Sequence, residues 1–305
     1  MGTSLWLCSV GADIAANANM LQWRWATRKT CRPYVDVAAW PDTTEGHTVS
    51  GHPIDYDALD EAYARHRGAN PRVLRALIDG ASVGATSRVL DIGCGTANYA
   101  RATAAMTGSR VVGMDPSIGM LTQAAAHAAE VRLCQGSAGG LPFRRCSFDL
   151  AFSVDVIHHV PDTGSYYREL LPLLGPGSRA CTVTDSDEII RTREPLATYF
   201  PGTVEADLRR YPLVSRLQEE MAAAGFADIA LETVELAYEV TDPGPYRAKA
   251  FSCLHLISEA AWREGVDRMA ADLTLGPIRG VSRYVLIWGR KAATVRHAAQ
   301  SADSR

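Results

Sequence analysis

The seven cysteines, at 8, 31, 94, 134, 146, 181 and 253, are odd in number and scattered, and no Cys-x-x-Cys pair occurs among them. That absence removes the usual zinc ribbon and disfavours a disulfide framework, so a reduced, cytoplasmic chain is the simplest expectation. Charge of one sign is missing too. A net charge of −3 with 21% charged residues leaves no concentrated basic face, and nucleic acid is not an expected partner. No apolar run is long enough for a membrane span, so no membrane insertion is expected, and there is no internal repeat, low-complexity tract or zinc-protease signature. None of this fixes an oligomeric state. What is present is a chain of 305 residues, 47% hydrophobic, which can bury a large core in one α/β domain with a small lid.

The centre of the sequence is Arg88-Val89-Leu90-Asp91-Ile92-Gly93-Cys94-Gly95-Thr96-Ala97-Asn98-Tyr99-Ala100. Val89, Leu90 and Ile92 favour a strand and the alanines after 96 favour a helix. Between them, Gly93 and Gly95 remove side chains where the backbone bends and allow a ligand to lie against bare peptide, with the free amides of the following helix aimed at it. Val111-Val112-Gly113-Met114-Asp115 reads as the next parallel strand, and its acid stands 20 residues beyond Gly95, where it can accept both hydroxyls of a ribose. The nicotinamide fingerprint needs a third glycine, but the register gives Gly-Cys-Gly-Thr-Ala-Asn, so a phosphate cradle is disfavoured.

Four ordered blocks extend the pattern: Asp91-Ile92-Gly93-Cys94-Gly95-Thr96; Met114-Asp115-Pro116-Ser117 with Met120-Leu121; Gly136-Ser137-Ala138 with Leu141-Pro142-Phe143; and Phe148-Asp149 running to His158-His159-Val160. Together they resemble the class I S-adenosylmethionine-dependent methyltransferases, in particular the small-molecule branch that includes the ubiquinone and menaquinone biosynthesis enzymes (the type 11 methyltransferases). The resemblance spans roughly Tyr56 to Lys291. It implies a Rossmann-like α/β fold, a seven-stranded, mostly parallel sheet with helices on both faces and a helical lid. It also implies S-adenosylmethionine as cofactor and a small-molecule acceptor.

On that resemblance, Gly93, Cys94 and Gly95 hold the methionine end, Asp91 fixes the loop or the amino group, Asp115 takes the ribose, and Pro116 with Ile118 walls the adenine. Many relatives carry an acid for the adenine amino group where this chain has Ser137; its hydroxyl and the Ala138 amide can still bond the ring. Val154 and Asp155 at the end of the fourth strand complete the cofactor set. Tyr63 and Arg67, four apart in a helix-forming stretch at 56–67, match the cover helix that reaches the methionine carboxylate; an exposed arginine and a packing tyrosine are the alternative. The Asn-Pro-Pro-Tyr motif of amine- and base-directed relatives is absent after the fourth strand, which argues against methylation of DNA, RNA or glutamine. His158 and His159 there are read either as a general base, with His159 preferred, or as structural histidines capping the loop. No metal site is expected, since adjacent residues rarely converge on one ion.

Residues 1–50 hold four of the six tryptophans without a clear period, and Gly51-His52-Pro53 marks a boundary. An extension packed on the domain and a start placed too far upstream are both open; a signal peptide is disfavoured because no basic residue precedes the apolar run. The methyltransferase domain is placed at 51–291 and a disordered tail at 292–305. Alternation predicts helix 97–107, strand 110–114, helix 117–129, strands 130–134 and 148–154, helix 164–174 and strand 179–184. Beyond these come a mixed segment at 186–211, a helix from Leu213 to Ala224, a strand at 229–234, two helices within 242–279 and a last strand at 284–288. The inserts 186–211 and 242–279 are expected to form the lid. Their apolar residues Tyr199, Phe200, Tyr246, Phe251, Leu254 and Trp262 suggest a lipophilic or aromatic acceptor, or else a core. His255 is a second base candidate. Two other readings remain: a binding protein without activity, and an NAD(P)-dependent oxidoreductase.

Overall fold

The computed structural model describes residues 68–293. The expected helix at 56–67 with Tyr63 and Arg67, the extension at 1–50, and the tail beyond 293 lie outside the described residues. Asn70 accepts hydrogen bonds from the amides of Arg72 and Val73, and Pro71 fills the first helical position, so helix α1 (Pro71–Gly80) begins where its capping residues dictate.

Strand and helix then alternate: β1 (Arg88–Ile92), α2 (Asn98–Thr107), β2 (Arg110–Asp115), α3 (Ile118–His127), β3 (Arg132–Gln135), β4 (Phe148–Val154), a 3-10 turn (Ile157–His159), α4 (Thr163–Leu173) and β5 (Leu174–Thr184). The sheet has seven strands in the order β3-β2-β1-β4-β5-β7-β6. Strands β1 to β5 are parallel, β7 (Ile278–Arg290) runs against β5, and β6 (Ala227–Val240) runs against β7. This is the mostly parallel Rossmann-like sheet the sequence predicts. Its order reverses between β1 and β4, the point outside whose carboxyl ends ligands bind in such sheets.

Period-two alternation divides the strands between two cores. Val89, Val111, Phe152, Val183 and Leu286 face one side, packed with Leu77 of α1, Ala100 of α2 and Leu121 of α3. Leu90, Met114, Ala151, Ala180 and Ile287 face the other, against Tyr167 and Leu170 of α4 and Leu217 and Met221 of α8 (Val214–Ala223).

Four expectations need correction. The fifth strand begins at Leu174 rather than 179, because the last turn of α4, which contains Pro172, passes directly into it. The segment 186–211 is three short helices, α5 (Asp187–Thr192), α6 (Leu196–Tyr199) and α7 (Gly202–Arg210). Of the two helices expected in 242–279, only α10 (Glu259–Leu273) is long. The first is reduced to α9 (Gly244–Arg247) and a 3-10 turn (Ser252–His255), since Pro243 and Pro245 remove amide donors and Lys249 turns the chain at φ +48°. Finally, β6 and β7 are twice the predicted length, because beyond the sheet they continue as a two-stranded arm, Glu235–Val240 against Ile278–Arg283.

The arm and the inserts enclose a third apolar core. Tyr199, Phe200, Tyr246 and Leu254 are buried there against Val266 and Met269 of α10, and Phe251 and Trp262 pack on its edge. These aromatic residues are spent on one another. They build the core of the insert.

Candidate active site

The loop after β1 is made by three successive left-handed turns of the backbone: Gly93 at φ +71°, Gly95 at φ +53° and Ala97 at φ +62°. The amides of Gly93 and Cys94 both donate to the Met114 carbonyl, at 2.7 and 3.0 Å, which lays the loop against the end of β2. Asp115 completes the attachment. Its carboxylate accepts from the Gly95 amide at 2.7 Å and the Ser117 amide at 2.9 Å, and Ser117 in turn caps α3 through the Met120 amide. The acid predicted to meet a ribose therefore shapes the glycine loop.

The two glycines are needed for different reasons. A Cβ on Gly93 would stand 2.3 Å from Cγ2 of Val156, so Gly93 makes room for the loop after β4. A Cβ on Gly95 would meet nothing within 4 Å among the described residues. Gly95 is thus the bare peptide facing open space, and the cradle beside Asp115 fits a nucleoside-bearing cofactor. Cys94 is turned inward: its side chain lies in the core, its amide is on Met114 and its carbonyl accepts from the Ala97 amide at 2.8 Å. Burial pushes its thiol up, so it supplies no thiolate.

Asp91 is 3% exposed, and its carboxyl is pushed up to about 8, first by burial and then by the neighbouring charge of Asp115. It accepts a hydrogen bond from the Ala100 amide. Ala97, at the N-cap of α2, has no side chain with which to cap the helix, and Asp91 does so from the strand. Of the two roles the sequence offers Asp91, fixing the loop is the one with a visible partner.

Pro116 and Ile118 are exposed at the carboxyl end of β2, and the Pro116 carbonyl accepts from Gln135 at 3.1 Å. Ser137 and Ala138 follow β3 in a tight turn, in which Ser137 Oγ accepts from the Gly139 amide, held beside Asp115 by a bond from the Gly136 amide to its carbonyl at 3.1 Å. At the end of β4, Val154 is half-buried and Asp155 is left-handed at φ +57°. An aspartate in that conformation costs roughly 1–2 kcal/mol. Asp155 is fixed from two sides: its amide donates to the Val183 carbonyl, and Tyr284 donates to its carboxylate at 3.1 Å. The turn at Asp155 is what throws Val156 against Gly93.

His158 is stacked on Tyr211, ring centres 4.1 Å apart, and Arg210 covers Tyr211 at 5.4 Å. His159 is tilted against His158 at 4.0 Å, and its amide closes the 3-10 turn on the Val156 carbonyl. Behind Tyr211, Arg193 bridges Asp185 at 2.8 Å and Asp207, and Arg210 holds the other oxygen of Asp207 at 2.7 Å. Burial pushes the Asp185 carboxyl up, and Arg193 opposes the shift. His255 lies in the insert, bonded to the Lys249 carbonyl at 2.9 Å and shifted down by burial. Among the described residues no three His, Cys, Asp or Glu side chains are grouped to hold a metal, and no helix is long and apolar enough to cross a membrane.

Sequence reading missed Val156, Tyr211, Tyr284 and the Arg193 network. Only Tyr284 left a signal: the residue pairing of β5 with the last strand puts it beside the carboxyl end of β5.

A doubly wound sheet whose first loop is tied to an acid at the end of the second strand defines a nucleoside-cofactor enzyme. Residues 89–177 match the model of a methyltransferase domain. The chain is 30% identical over 203 residues to the ubiquinone biosynthesis O-methyltransferase of Azorhizobium caulinodans, covering 63% of this chain and 74% of that one. It is 29% identical over 155 residues to a demethylmenaquinone methyltransferase of Bacillus cereus, covering 48% and 64%. A methyltransferase structure from an antibiotic biosynthesis pathway of Anabaena variabilis shares the fold at TM-score 0.57 and 24% identity, over 72% of this chain and 98% of that one. The chain belongs to the class I S-adenosylmethionine-dependent methyltransferases. It is an enzyme that uses S-adenosylmethionine on a small molecule, and neither the oxidoreductase nor the inactive binding protein finds support.

Proposed function

We propose that this enzyme methylates a lipophilic or aromatic metabolite by in-line displacement, with the cofactor lying over Gly95 and beside Asp115. The observation that carries the reading is the open space above Gly95, next to a carboxylate that already organises the loop. Two relatives bear quinone names, and they support the acceptor class now that the insert's aromatics are accounted for as core.

In this reading Asp115 accepts from the ribose as well as from its two amides, since a carboxylate offers about four acceptor sites. Gly93, Gly95 and Cys94 form the methionine end of the cradle through their backbone, and Asp91 holds α2 while lending charge to the cofactor's amino group. Pro116, Ser137 and Ala138 bound the adenine, with Val154 and Asp155 below. Tyr63 and Arg67 cover the methionine carboxylate; in support, Asn70, three residues after Arg67, is bonded to the Tyr99 hydroxyl at the start of α2. The segments 186–211 and 242–279 close over the acceptor as a lid on a domain running from 51 to 291, and the whole acts in the cytoplasm.

When bound, S-adenosylmethionine supplies a methyl group on a positively charged sulfur. The protein's part is to align the acceptor behind that carbon and exclude water, a contribution of roughly 7–11 kcal/mol when alignment is good. In this reading His159 takes a proton from an acceptor hydroxyl, and His158, stacked on Tyr211, positions it.

The test is transfer of an isotopically labelled methyl from S-adenosylmethionine into a lipid-soluble metabolite extract, read by mass, with a Gly95→Val control. A labelled product of quinone or aromatic type that vanishes in the control supports the proposal. A labelled polar amine overturns the acceptor class.

A further inference from the structure

Between the Ile157–His159 turn and the stretch joining α7 to α8 lies a cavity of about 230 Å³ that no part of the cofactor cradle lines. Ile157, Val160, Pro161 and Pro212 make one part of its wall apolar. Arg209, Arg210 and Arg216 bring three guanidinium groups to the rest.

Two of these cations are already oriented. Arg210 donates through Nε to Asp207 at 2.7 Å and through a terminal nitrogen to Ser252 at 2.8 Å; Arg216 donates through Nε to Glu220 at 2.9 Å. Each pairing uses only part of a five-donor fork. Arg209 is exposed and makes no hydrogen bond or ion pair with another described residue. The half-open cavity therefore carries one cation without an ion pair and two pre-aimed forks, with Arg209 and Arg216 exposed on its open side and a smaller apolar part behind them.

A guanidinium fork matches a carboxylate through paired, charge-assisted hydrogen bonds, and the smaller apolar part leaves room for a short hydrocarbon body beside it. The volume lies below the ~300 Å³ at which pockets begin to take drug-sized ligands, so the fit is to something as small as a benzoate. We infer that this cavity binds a small organic carboxylate, with Arg209 as its charge partner. Its occupant also touches function. Tyr211 lines the cavity and is the ring on which His158 stacks, so a bound anion ties the end of the 186–211 insert to the turn bearing both histidines. The carboxylate belongs either to the acceptor itself or to a separate effector, and the site's existence depends on neither.

Calorimetric titration of benzoate into the full chain saturated with S-adenosylhomocysteine tests this, with benzyl alcohol as the uncharged counterpart. Benzoate is expected to bind saturably and benzyl alcohol at least about tenfold more weakly. Arg209→Gln is expected to weaken benzoate about tenfold while S-adenosylhomocysteine affinity and melting temperature stay unchanged. Absence of benzoate binding to the wild-type chain overturns the inference, as does binding untouched by both Arg209→Gln and Arg216→Gln. In the labelled-methyl assay, inhibition by benzoate that rising acceptor relieves identifies the acceptor's own acid group; an effect on rate that acceptor does not relieve identifies an effector.

Discussion

Asp91→Asn separates what the buried carboxyl does for folding from what it does for the cofactor. An unfolded chain ionises this carboxyl near its ordinary 3.8, whereas the folded chain holds the proton until about 8, chiefly through burial. Between those values the native state keeps a proton that the unfolded state has released. Native stability therefore falls as pH rises through this window, by about 1.4 kcal/mol per pH unit, and is level with respect to this group outside it. Asparagine has no proton to keep and still offers an oxygen to the Ala100 amide. The stability of Asp91→Asn relative to wild type should then climb with pH, by on the order of 4 kcal/mol between pH 5 and pH 8, as measured by urea unfolding of both chains at each pH. Every other titrating group is common to the two chains and largely cancels. The cofactor, being cationic, favours the ionised form. Wild-type affinity for S-adenosylmethionine should rise between pH 6 and 8, and the variant's should be weaker and flat. A stability difference that does not change with pH would refute the reasoning, because the burden on Asp91 would then not be the cost of ionising it.

The two loop glycines should fail in opposite ways. Gly93→Ala drives a Cβ into Val156 and should lose about 2–5 kcal/mol of stability by urea unfolding, from the roughly 1–3 kcal/mol typical of overpacking plus roughly 1–2 kcal/mol of left-handed strain. Gly95→Ala meets open space, should cost only about 1 kcal/mol, and should nevertheless abolish S-adenosylhomocysteine binding by calorimetry. Tyr284→Phe removes the bond to Asp155 and should cost about 1 kcal/mol in folding while weakening S-adenosylhomocysteine several-fold; unaltered affinity would remove Tyr284 from the site. Phe200→Ala, in the core of the insert, should cost about 3–5 kcal/mol there, read as lost hydrogen-exchange protection across α6 and α10 with β1 to β4 unchanged.

The sheet and its first loop were legible because strand period, glycine position and the acid 20 residues on are all local or nearly local signals. From β1 to β4, helices and strands fall within a few residues of their predicted bounds. The inserts were not legible, since an apolar run such as Tyr199-Phe200 reads the same whether it lines a pocket or fills a core, and only the packing partners, Gly265 and Tyr246, decide. Prolines 243 and 245 mark a broken helix, whereas the apolar residues that follow read as a continuous one. The contacts that matter most at the site were invisible for another reason. Tyr211 on His158 and Tyr284 on Asp155 join residues 53 and 129 positions apart, a distance no periodicity reaches.

The third core gives the insert an independence that a loop draped over a pocket does not have. A loop held only by contacts with its substrate frays residue by residue, but a unit with its own buried aromatics keeps its shape while its contacts with the body are broken and remade. The ion pairs of Arg193 and Arg210 with the buried Asp207 lie inside that unit, where they tie α7 to the chain that follows α5. Buried pairs of this kind are screened little by salt and are costly to break one partner at a time. The insert should accordingly keep its hydrogen-exchange protection as salt is raised, as a unit separate from the sheet.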